Sequence, residues 1–274
     1  MSAEAPVFAL RAVGLSRGGR PLVDGVSLDI HAGEVLAIMG ENGAGKSTLL
    51  RILSGDLAPD RGTVQFHGTP LTTWSALTQA RQRAVMPQQS SMSFAFSAFE
   101  VVLLGRSPHD AGQPGDVDRA VAREAMRRTD AWQFAERSYP TLSGGERARV
   151  MLARAFAQVL RDPDGSATGD PRARALLLDE PSAALDIAHQ HAAFHAIRAL
   201  AAAERVAVVT VLHDPNLVAS HADRVALLRH GRLMAVGSVD ETLTESLMSA
   251  CFSIPMKRLR HPTRDVPLLV ATTD

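Results

Sequence analysis

Residues 40–47 read Gly-Glu-Asn-Gly-Ala-Gly-Lys-Ser, which fits the phosphate-loop pattern G-x-x-x-x-G-K-[ST]. Glycines lack a Cβ, so the backbone can wrap closely around an anion and point its amide N–H groups at it. In this pattern Lys46 would reach the β- and γ-phosphates of a nucleotide, and Ser47 would hold Mg²⁺. These residue types at this spacing therefore predict a site for a nucleoside triphosphate with magnesium.

Two adjacent carboxylates, Asp179 and Glu180, follow the apolar run at residues 175–178. Asp179 can hold Mg²⁺, directly or through water. Glu180 points elsewhere and can polarise the attacking water as a general base. Two solvated acids are the ordinary alternative for such a pair, but the phosphate loop earlier in the chain favours the catalytic interpretation. His213 ends the next apolar run and could hydrogen-bond a γ-phosphate, although a histidine at a strand end is more often structural.

A second glycine-rich segment, Leu-Ser-Gly-Gly-Glu at residues 142–146, precedes a long apolar-periodic stretch at residues 147–160 that predicts a helix. The free N–H groups and the positive dipole at a helix start attract anions. One ATP would not need two such anion sites from the same subunit. A head-to-tail homodimer resolves this, because each ATP could lie between residues 40–48 of one chain and residues 143–146 of the other.

The hydrophobic pattern predicts the elements that position these residues. Continuous apolar strands alternating with helices indicate a parallel sheet covered on both faces, in which the strand C-termini line the ligand crevice. The predicted buried strands are 35–39, 83–87, 175–179 and 206–212. Antiparallel strands are predicted over 7–30, another strand over 62–68, and a hairpin over 224–236 that turns at His230-Gly231. Helices are predicted from Thr48 to about 53, over 116–128, over 147–160 and from 187 to about 203.

Three segments are less regular. Residues 90–99 mix serines with phenylalanines, which indicates either the start of a core helix or a surface pocket that grips a partner's helix. Residues 161–171 are rich in Asp, Gly and Pro and predict a flexible surface insertion. From residue 261 onward two prolines and the lack of a clear period lead us to predict no regular structure.

Composition limits the classes of function. The formal net charge is zero, from 29 basic and 29 acidic residues, which argues against a strongly basic nucleic-acid binder. The single cysteine, Cys251, excludes an intrachain disulfide and suits a reducing cytosol. We expect no signal peptide and no membrane span, because the sequence has neither a basic N-terminal region followed by an apolar core nor a run of 18 apolar residues. No internal repeat is evident, so one nucleotide-binding unit is expected.

Together these motifs resemble the nucleotide-binding subunit of ABC transporters. The match covers roughly residues 7–240: a Walker A motif at 40–47, a signature at 142–146, a Walker B motif at 175–179, a D-loop at 182–186 and the switch histidine His213. The resemblance implies an α/β P-loop NTPase fold with a RecA-like core, an antiparallel β subdomain and an α-helical signature subdomain at about residues 90–160. Residues 241–274 would form a C-terminal extension.

The resemblance also implies a role for each motif residue. Glu180, His213 and Gln88 would be catalytic, with Gln89 the weaker candidate for the Q-loop glutamine. Ser47, Gln88 and Asp179 would hold Mg²⁺. Nucleotide would be bound by Gly40, Glu41, Asn42, Gly43, Ala44, Gly45, Lys46, Ser47 and Thr48 of one chain and by Ser143, Gly144, Gly145 and Glu146 of the other. Most such subunits stack an aromatic side chain on adenine from the first strand region; here the matching segment offers Arg17, whose guanidinium can also stack on a base.

Longer stretches are similar to the haemin-import ATPase (HmuV-like) subfamily, within a wider group that includes ATPases for ferric-siderophore and cobalamin importers. These stretches are 83–88, 99–109, 141–150, 185–190 and the Pro/Gly-rich insertion between Leu160 and Arg174. The subfamily implies an ATP hydrolase of the translocase type that energises haemin import from the cytoplasmic face of the inner membrane. Its partners would be a second ATPase copy, two transmembrane permease subunits and, indirectly, a substrate-binding protein.

Alternatives to haemin import remain. An ATPase of a ferric-siderophore or cobalamin importer is the nearest one. A soluble ABC ATPase acting on ribosomes or DNA is more distant, since such proteins carry two cassettes or a long coiled coil, and exporters often fuse the cassette to transmembrane helices. The transported substrate would pass through the permease, so neither direct substrate binding nor nucleic-acid binding is expected.

Three histidines invite a metal or haem interpretation. His191 and His195 stand at i, i+4 on a predicted helix, which is metal-ligand spacing, and His189 lies nearby. No carboxylate or cysteine completes a ligand set. We therefore interpret all three as solvated histidines on a helix surface.

Overall fold

The computed structural model describes residues 5–88, 95–109, 112–162 and 172–272 of the 274-residue chain. The strands are β1 (Phe8–Arg17), β2 (Arg20–Ile30), β3 (Val35–Met39), β4 (Arg61–Phe66), β5 (Thr69–Pro70), β6 (Arg83–Met86), β7 (Ala175–Asp179), β8 (Ala207–Val211), β9 (Arg224–Arg229), β10 (Arg232–Ser238), β11 (Met256–Arg260) and β12 (Pro267–Ala271). The helices are α1 (Lys46–Leu53), α2 (Ala76–Gln82), α3 (Ala98–Leu103), α4 (Asp116–Arg128), α5 (Gly144–Val159), α6 (Ile187–Glu204), α7 (Pro215–His221), α8 (Val239–Thr242) and α9 (Glu245–Phe252).

A six-stranded sheet forms the centre of the molecule, in the order β10-β9-β3-β8-β7-β6. Strands β9, β3, β8, β7 and β6 pair in parallel, and β10 adds an antiparallel edge. Every residue of β3, β7 and β8 is buried, which explains their continuous apolar sequences. The predicted parallel sheet is confirmed.

Two hydrophobic clusters cover the two faces of this sheet. In β3 the side chains of Val35, Ala37 and Met39 join the cluster that holds α3, α4, α5 and α6. Leu36 and Ile38 point the other way, into the cluster that holds α1 and the antiparallel strands. The strand before the phosphate loop is therefore anchored in both halves of the core.

The second sheet is antiparallel, in the order β2-β1-β4-β5. Its buried residues belong to the same cluster as α1 and pack against one face of the central sheet. β1 and β2 meet at a tight turn where Gly18 and Gly19 have φ values of 58° and 77°, conformations that glycine adopts without strain. The antiparallel strands predicted over residues 7–30 and the strand predicted over 62–68 are confirmed.

Helices α3, α4 and α5 pack together on the other face. α4 has the predicted bounds, whereas α5 begins three residues before the predicted residue 147. The reason is the side chain of Ser143, whose Oγ accepts a hydrogen bond from the N–H of Glu146, while Glu146 Oε2 accepts from the N–H of Ser143. This capping box supplies partners for the first N–H groups and lets the helix include both signature glycines.

The phenylalanine-rich segment does begin a core helix. α3 starts after Ser97, and Phe99 packs partly buried against the core and edge-on to Trp132, at 6.1 Å between ring centroids. Phe96, just before the helix, is 38% exposed. Residues 89–94, with the alternative Gln89, and residues 163–171 of the predicted insertion lie outside the described residues, and a partner-gripping pocket stays a prediction.

The prediction of no regular structure after residue 261 was wrong. β12 pairs with β11 in an antiparallel hairpin, with Leu259 opposite Leu268. The side chain of Asn216 in α7 fixes this hairpin, since its Nδ2 donates to Leu269 O (3.1 Å) and its Oδ1 accepts from Leu269 N (2.7 Å). The strand has only five residues and holds its place through a partner 53 positions away in sequence, so no local period reveals it.

Among all described helices, none is both long enough and apolar enough to cross a membrane.

Candidate functional site

The phosphate loop lies between the end of β3 and the first turn of α1, with Gly45 capping the helix at φ 101°. A Cβ on Gly40 would lie 2.1 Å from Leu228 O of β9, and a Cβ on Gly45 would lie 2.3 Å from Leu22 O of β2. Any side chain at these two positions would therefore collide with backbone. The loop keeps its shape because carbonyls of two other strands press against it.

Lys46 is held inside this loop. Its Nζ donates to Gly40 O (2.8 Å) and Glu41 O (2.9 Å), and the residue is only 5% exposed. Burial lowers the pKa of Lys46, while the nearby Glu180 and Asp179 oppose that shift. The loop thus places an ammonium group where a phosphate would need one. The helix begins at Lys46, two residues before the predicted Thr48.

Ser47 and Asp179 meet at the base of the loop. Ser47 Oγ donates to Asp179 Oδ1 at 3.2 Å, although the two residues lie far apart in the chain. Burial raises the pKa of Asp179, and the hydrogen bond from Ser47 opposes that shift. A hydroxyl and a carboxylate are hard oxygen donors, and Mg²⁺ is commonly bound by one or two protein oxygens plus phosphate and water oxygens. The donor pair fits a magnesium ion.

Glu180 stands between two polar partners. Its Oε2 accepts from Gln88 Nε2 at 2.7 Å, and its Oε1 accepts from His213 Nε2 at 2.7 Å. The three residues follow the neighbouring parallel strands β7, β6 and β8, whose carboxyl ends meet at one edge of the sheet. Glu180 has φ 52°, an uncommon conformation for a residue with a Cβ, and it aims the carboxylate between these partners. The structure thus brings the three predicted catalytic residues together.

The signature residues form the start of α5. Glu146, besides its bond to Ser143, accepts a hydrogen bond from Arg137 Nη1 at 2.8 Å. These contacts lower the pKa of its carboxyl group, and the hydrogen bond from the Ser143 N–H makes the largest contribution. Gly145 lies close to the D-loop, since a Cβ there would be 3.2 Å from Ala184 O. Gly144 lines a cavity of about 360 Å³ together with Gln88 and Glu180. Within one chain, this cavity separates the signature from the general-base candidate.

Arg17 ends β1 at the tip of the β1–β2 hairpin, opposite Arg20. Its Nη1 donates to Ser16 O at 3.0 Å and lies 3.7 Å from Asp60 Oδ1, with the side chain 57% exposed. The same hairpin supplies the Leu22 carbonyl that presses on Gly45, so the tip lies beside the phosphate loop. Stacking of Arg17 on a base stays a prediction.

One contact of the loop escaped sequence reasoning. The turn between β9 and β10 lies against the loop, because Gly231 N donates to Ala44 O (3.0 Å) and Gly231 O accepts from Asp24 N (2.7 Å). The hairpin itself was predicted at His230-Gly231 and is confirmed. The glycine at position 231 was the sequence signal that another stretch of backbone approaches closely there. In the structure Gly231 has a φ value of 78°.

Two of the three histidines on α6 have hydrogen-bonding partners within the protein. His189 Nδ1 bonds the carboxylate of Asp186 at 2.8 Å, and His191 Nδ1 lies 2.9 Å from His221 Nε2 of α7. Across the described parts of the chain, no group of three or more His, Cys, Asp or Glu side chains could hold a metal ion. His189 and His191 thus make side-chain contacts that the interpretation as solvated histidines did not include, and His195 is exposed as expected.

Comparisons with known proteins agree with this geometry. A family model described as ABC transporter matches residues 23–161. The hemin import ATP-binding protein HmuV of Gloeobacter violaceus is 48% identical over 258 residues, covering 94% of this chain and 91% of the relative. The protein of that name from Streptomyces coelicolor is 47% identical over 269 residues, covering 97% and 91%.

Solved structures give the same fold. A protein described as a metal-chelate type ABC transporter, in an inward-facing conformation, superposes with a TM-score of 0.81 at 27% identity and covers 98% of both chains. A dimeric bacterial ABC transporter cassette superposes with a TM-score of 0.72 at 26% identity, covering 85% of this chain and 98% of the other. These likenesses confirm the predicted P-loop fold class with its antiparallel β and helical parts.

Proposed function

Since the chain belongs to the ABC transporter family, we propose that it is the ATP-hydrolysing subunit that energises haemin import through a membrane ABC transporter complex. The observation that carries this proposal is the identity of 48% and 47%, over almost the whole chain, to two proteins named for hemin import. We assign the cassette to residues 7–240 and treat residues 241–274 as a C-terminal extension.

ATP is the proposed substrate. Its phosphates would accept hydrogen bonds from the N–H groups of residues 40–48 and from the Lys46 ammonium group. Its base would stack on the guanidinium group of Arg17. Ser47 and Asp179 would hold Mg²⁺, with Gln88 as a further ligand. When bound, the ion neutralises charge that develops on the β- and γ-phosphates. Burial of Lys46 strengthens its electrostatic attraction for phosphate, because the surroundings screen it less than water does.

Glu180 would take the proton from the attacking water. Its position supports this role: the carboxylate follows β7 directly after Asp179, and two side chains hold it by hydrogen bonds of 2.7 Å. His213 would contact the γ-phosphate and keep the carboxylate aligned. Gln88 begins the segment that leads to the helical part of the chain, so it could report whether γ-phosphate is present.

Two copies would act together. Residues 143–146 of one chain would complete the ATP site of the other, so ATP would join the copies and hydrolysis would release them. The similarity to a dimeric cassette supports this arrangement. Two permease subunits would bind near Gln88 and Phe99 on the cytoplasmic side of the membrane, and closure of the ATPase pair would shift them between inward- and outward-facing states.

Import of a ferric siderophore or cobalamin is the second candidate. The observation in its favour is the likeness, over 98% of both chains, to a transporter described as of the metal-chelate type. Both candidates use the same ATPase chemistry and differ only in the cargo of the permease.

Growth of a deletion strain tests the cargo. The strain is grown on haemin, on ferric siderophore or on inorganic iron as the sole iron source, and is complemented with the wild type or with Lys46→Ala. Loss of growth on haemin alone, restored by the wild type but not by Lys46→Ala, is the expected result. Normal growth on haemin with failure on a siderophore would reject haemin and leave the ATPase in place.

A further inference from the structure

We propose that helix α9, in the C-terminal extension, positions the phosphate loop by supporting the Leu228 carbonyl of β9 and the turn after it. The inference rests on the proposed ATPase function and adds residues outside the cassette to its nucleotide site. Cys251 and Ser253 would act as positioning residues, through two separate routes.

The first route runs through Leu228. Its carbonyl lies close to Gly40, where a Cβ would be only 2.1 Å from the oxygen. The same oxygen accepts a hydrogen bond from Cys251 of α9, whose Sγ lies 3.9 Å away. The carbonyl thus lies beside both the first residue of the phosphate loop and a helix of the extension. Because an added Cβ at Gly40 would overlap this oxygen, the Leu228 carbonyl lies close to the loop backbone, and a displacement of Leu228 would be felt there.

The second route runs through the β9–β10 turn. Arg229 Nη2 donates to Ser253 Oγ at the end of α9, at 3.2 Å. Two residues after Arg229, Gly231 N donates to Ala44 O within the loop, at 3.0 Å. The turn is therefore tied to α9 at one end and to the phosphate loop at the other.

The extension is also part of the main core. Leu243, Met248 and Cys251 are fully buried and join the cluster that contains β3. Burial raises the pKa of the Cys251 thiol to about 11, with Glu41 adding to the rise and Lys46 opposing it. Both of those groups belong to the loop, which agrees with the placement of α9 directly behind it. Interiors are close-packed, so added side-chain volume at Cys251, which contacts Leu228 O, would displace the backbone beside the loop.

Three variants test the inference by steady-state ATP hydrolysis. Cys251→Leu adds atoms behind Leu228, and we expect KM for ATP to rise about tenfold with kcat within about twofold, since overpacking displaces backbone. Ser253→Ala removes only the Arg229 bond at an exposed position, and we expect KM to rise roughly two- to threefold with Tm unchanged. Met248→Ala, on the same face of α9, is the control: it should lower Tm and leave KM within about twofold.

The outcomes separate positioning from general stability. If Met248→Ala raised KM as much as Cys251→Leu at an equal loss of Tm, the effect would be one of stability and the inference would be overturned. It would also be overturned if neither Cys251→Leu nor Ser253→Ala changed KM; should Cys251→Leu fail to fold, Ser253→Ala decides. A wild-type protein without ATPase activity would instead refute the proposed function itself.

Discussion

Replacing Glu180 by glutamine isolates the charge of the general-base candidate from its geometry. The amide has nearly the shape of the carboxylate, so its oxygen can still accept from Gln88 Nε2, and its NH₂ group can donate to His213 Nε2 in the tautomer that carries the proton on Nδ1. Both hydrogen bonds of 2.7 Å can therefore still form in the variant, and the free energy of unfolding should change little. What disappears is the ability to take a proton from water.

The size of the effect follows from that single loss. A positioned general base contributes roughly 10²- to 10⁴-fold, so the barrier to hydrolysis should rise by about 3 to 5 kcal/mol. The Lys46 and Ser47 contacts are untouched, so the Kd for ATP should stay within about twofold. Hydrolysis is the step that would separate the two copies. The variant should therefore form a stable dimer when ATP is present.

Phosphate release under single-turnover conditions measures the chemical step, and size-exclusion chromatography with ATP measures the dimer. Glu136→Gln is the matched control, because it makes the same charge change at an exposed position on the helical part of the chain. Turnover of Glu180→Gln within tenfold of the wild type would refute the assignment of the base. Slow turnover combined with a large rise in Kd would show instead that the substitution had damaged the site.

Three further predictions concern buried ionisable side chains. Burial raises the pKa of Asp179, so its ionised form destabilises the fold; Asp179→Asn should raise Tm without added nucleotide and abolish hydrolysis, and a lower Tm in calorimetry would contradict this. Burial lowers the pKa of His221 from 6.5 to about 4, so as pH falls the unfolded chain takes up the proton before the folded chain does. The free energy of unfolding should therefore be steady above pH 6.5 and fall as pH drops towards 4. His221→Gln should flatten part of that fall in urea unfolding, the remainder coming from His109, whose pKa is also lowered to about 4; an unaltered profile would exclude His221. Buried Arg106 forms ion pairs with Asp118 and Asp162, so Arg106→Ala would leave both carboxylates without their cation and cost about 3 to 5 kcal/mol in urea unfolding; a loss below about 1 kcal/mol would argue against these ion pairs.

The central sheet and the motif residues were accessible from sequence for a physical reason. Strands β3, β7 and β8 are buried on both faces, so their apolar runs are uninterrupted and easy to distinguish from amphipathic helices. Placing those strands in one parallel sheet then brings their carboxyl ends to one edge. The meeting of Glu180 with His213 follows from that rule without knowledge of any side-chain conformation.

Other features depend on contacts between segments distant in the chain. Nothing local to Gly40 indicates that its neighbour is the Leu228 carbonyl, and nothing local to β12 indicates that Asn216 fixes it. The bonds from Gln88 and His213 to the two oxygens of Glu180 are also specific to the folded geometry. Sequence patterns assign residues to an edge of a sheet, but tertiary packing decides which atoms touch.

The alternation of side chains along β3 has a consequence for how the molecule unfolds. Because Val35, Ala37 and Met39 are embedded in one hydrophobic cluster and Leu36 and Ile38 in the other, neither half of the core can come apart without exposing one side of this strand. Local openings will begin elsewhere and spread towards β3 only in the global transition. The amide protons of β3 should therefore be among the slowest in the chain to exchange with solvent, at the strand that leads directly into the phosphate loop.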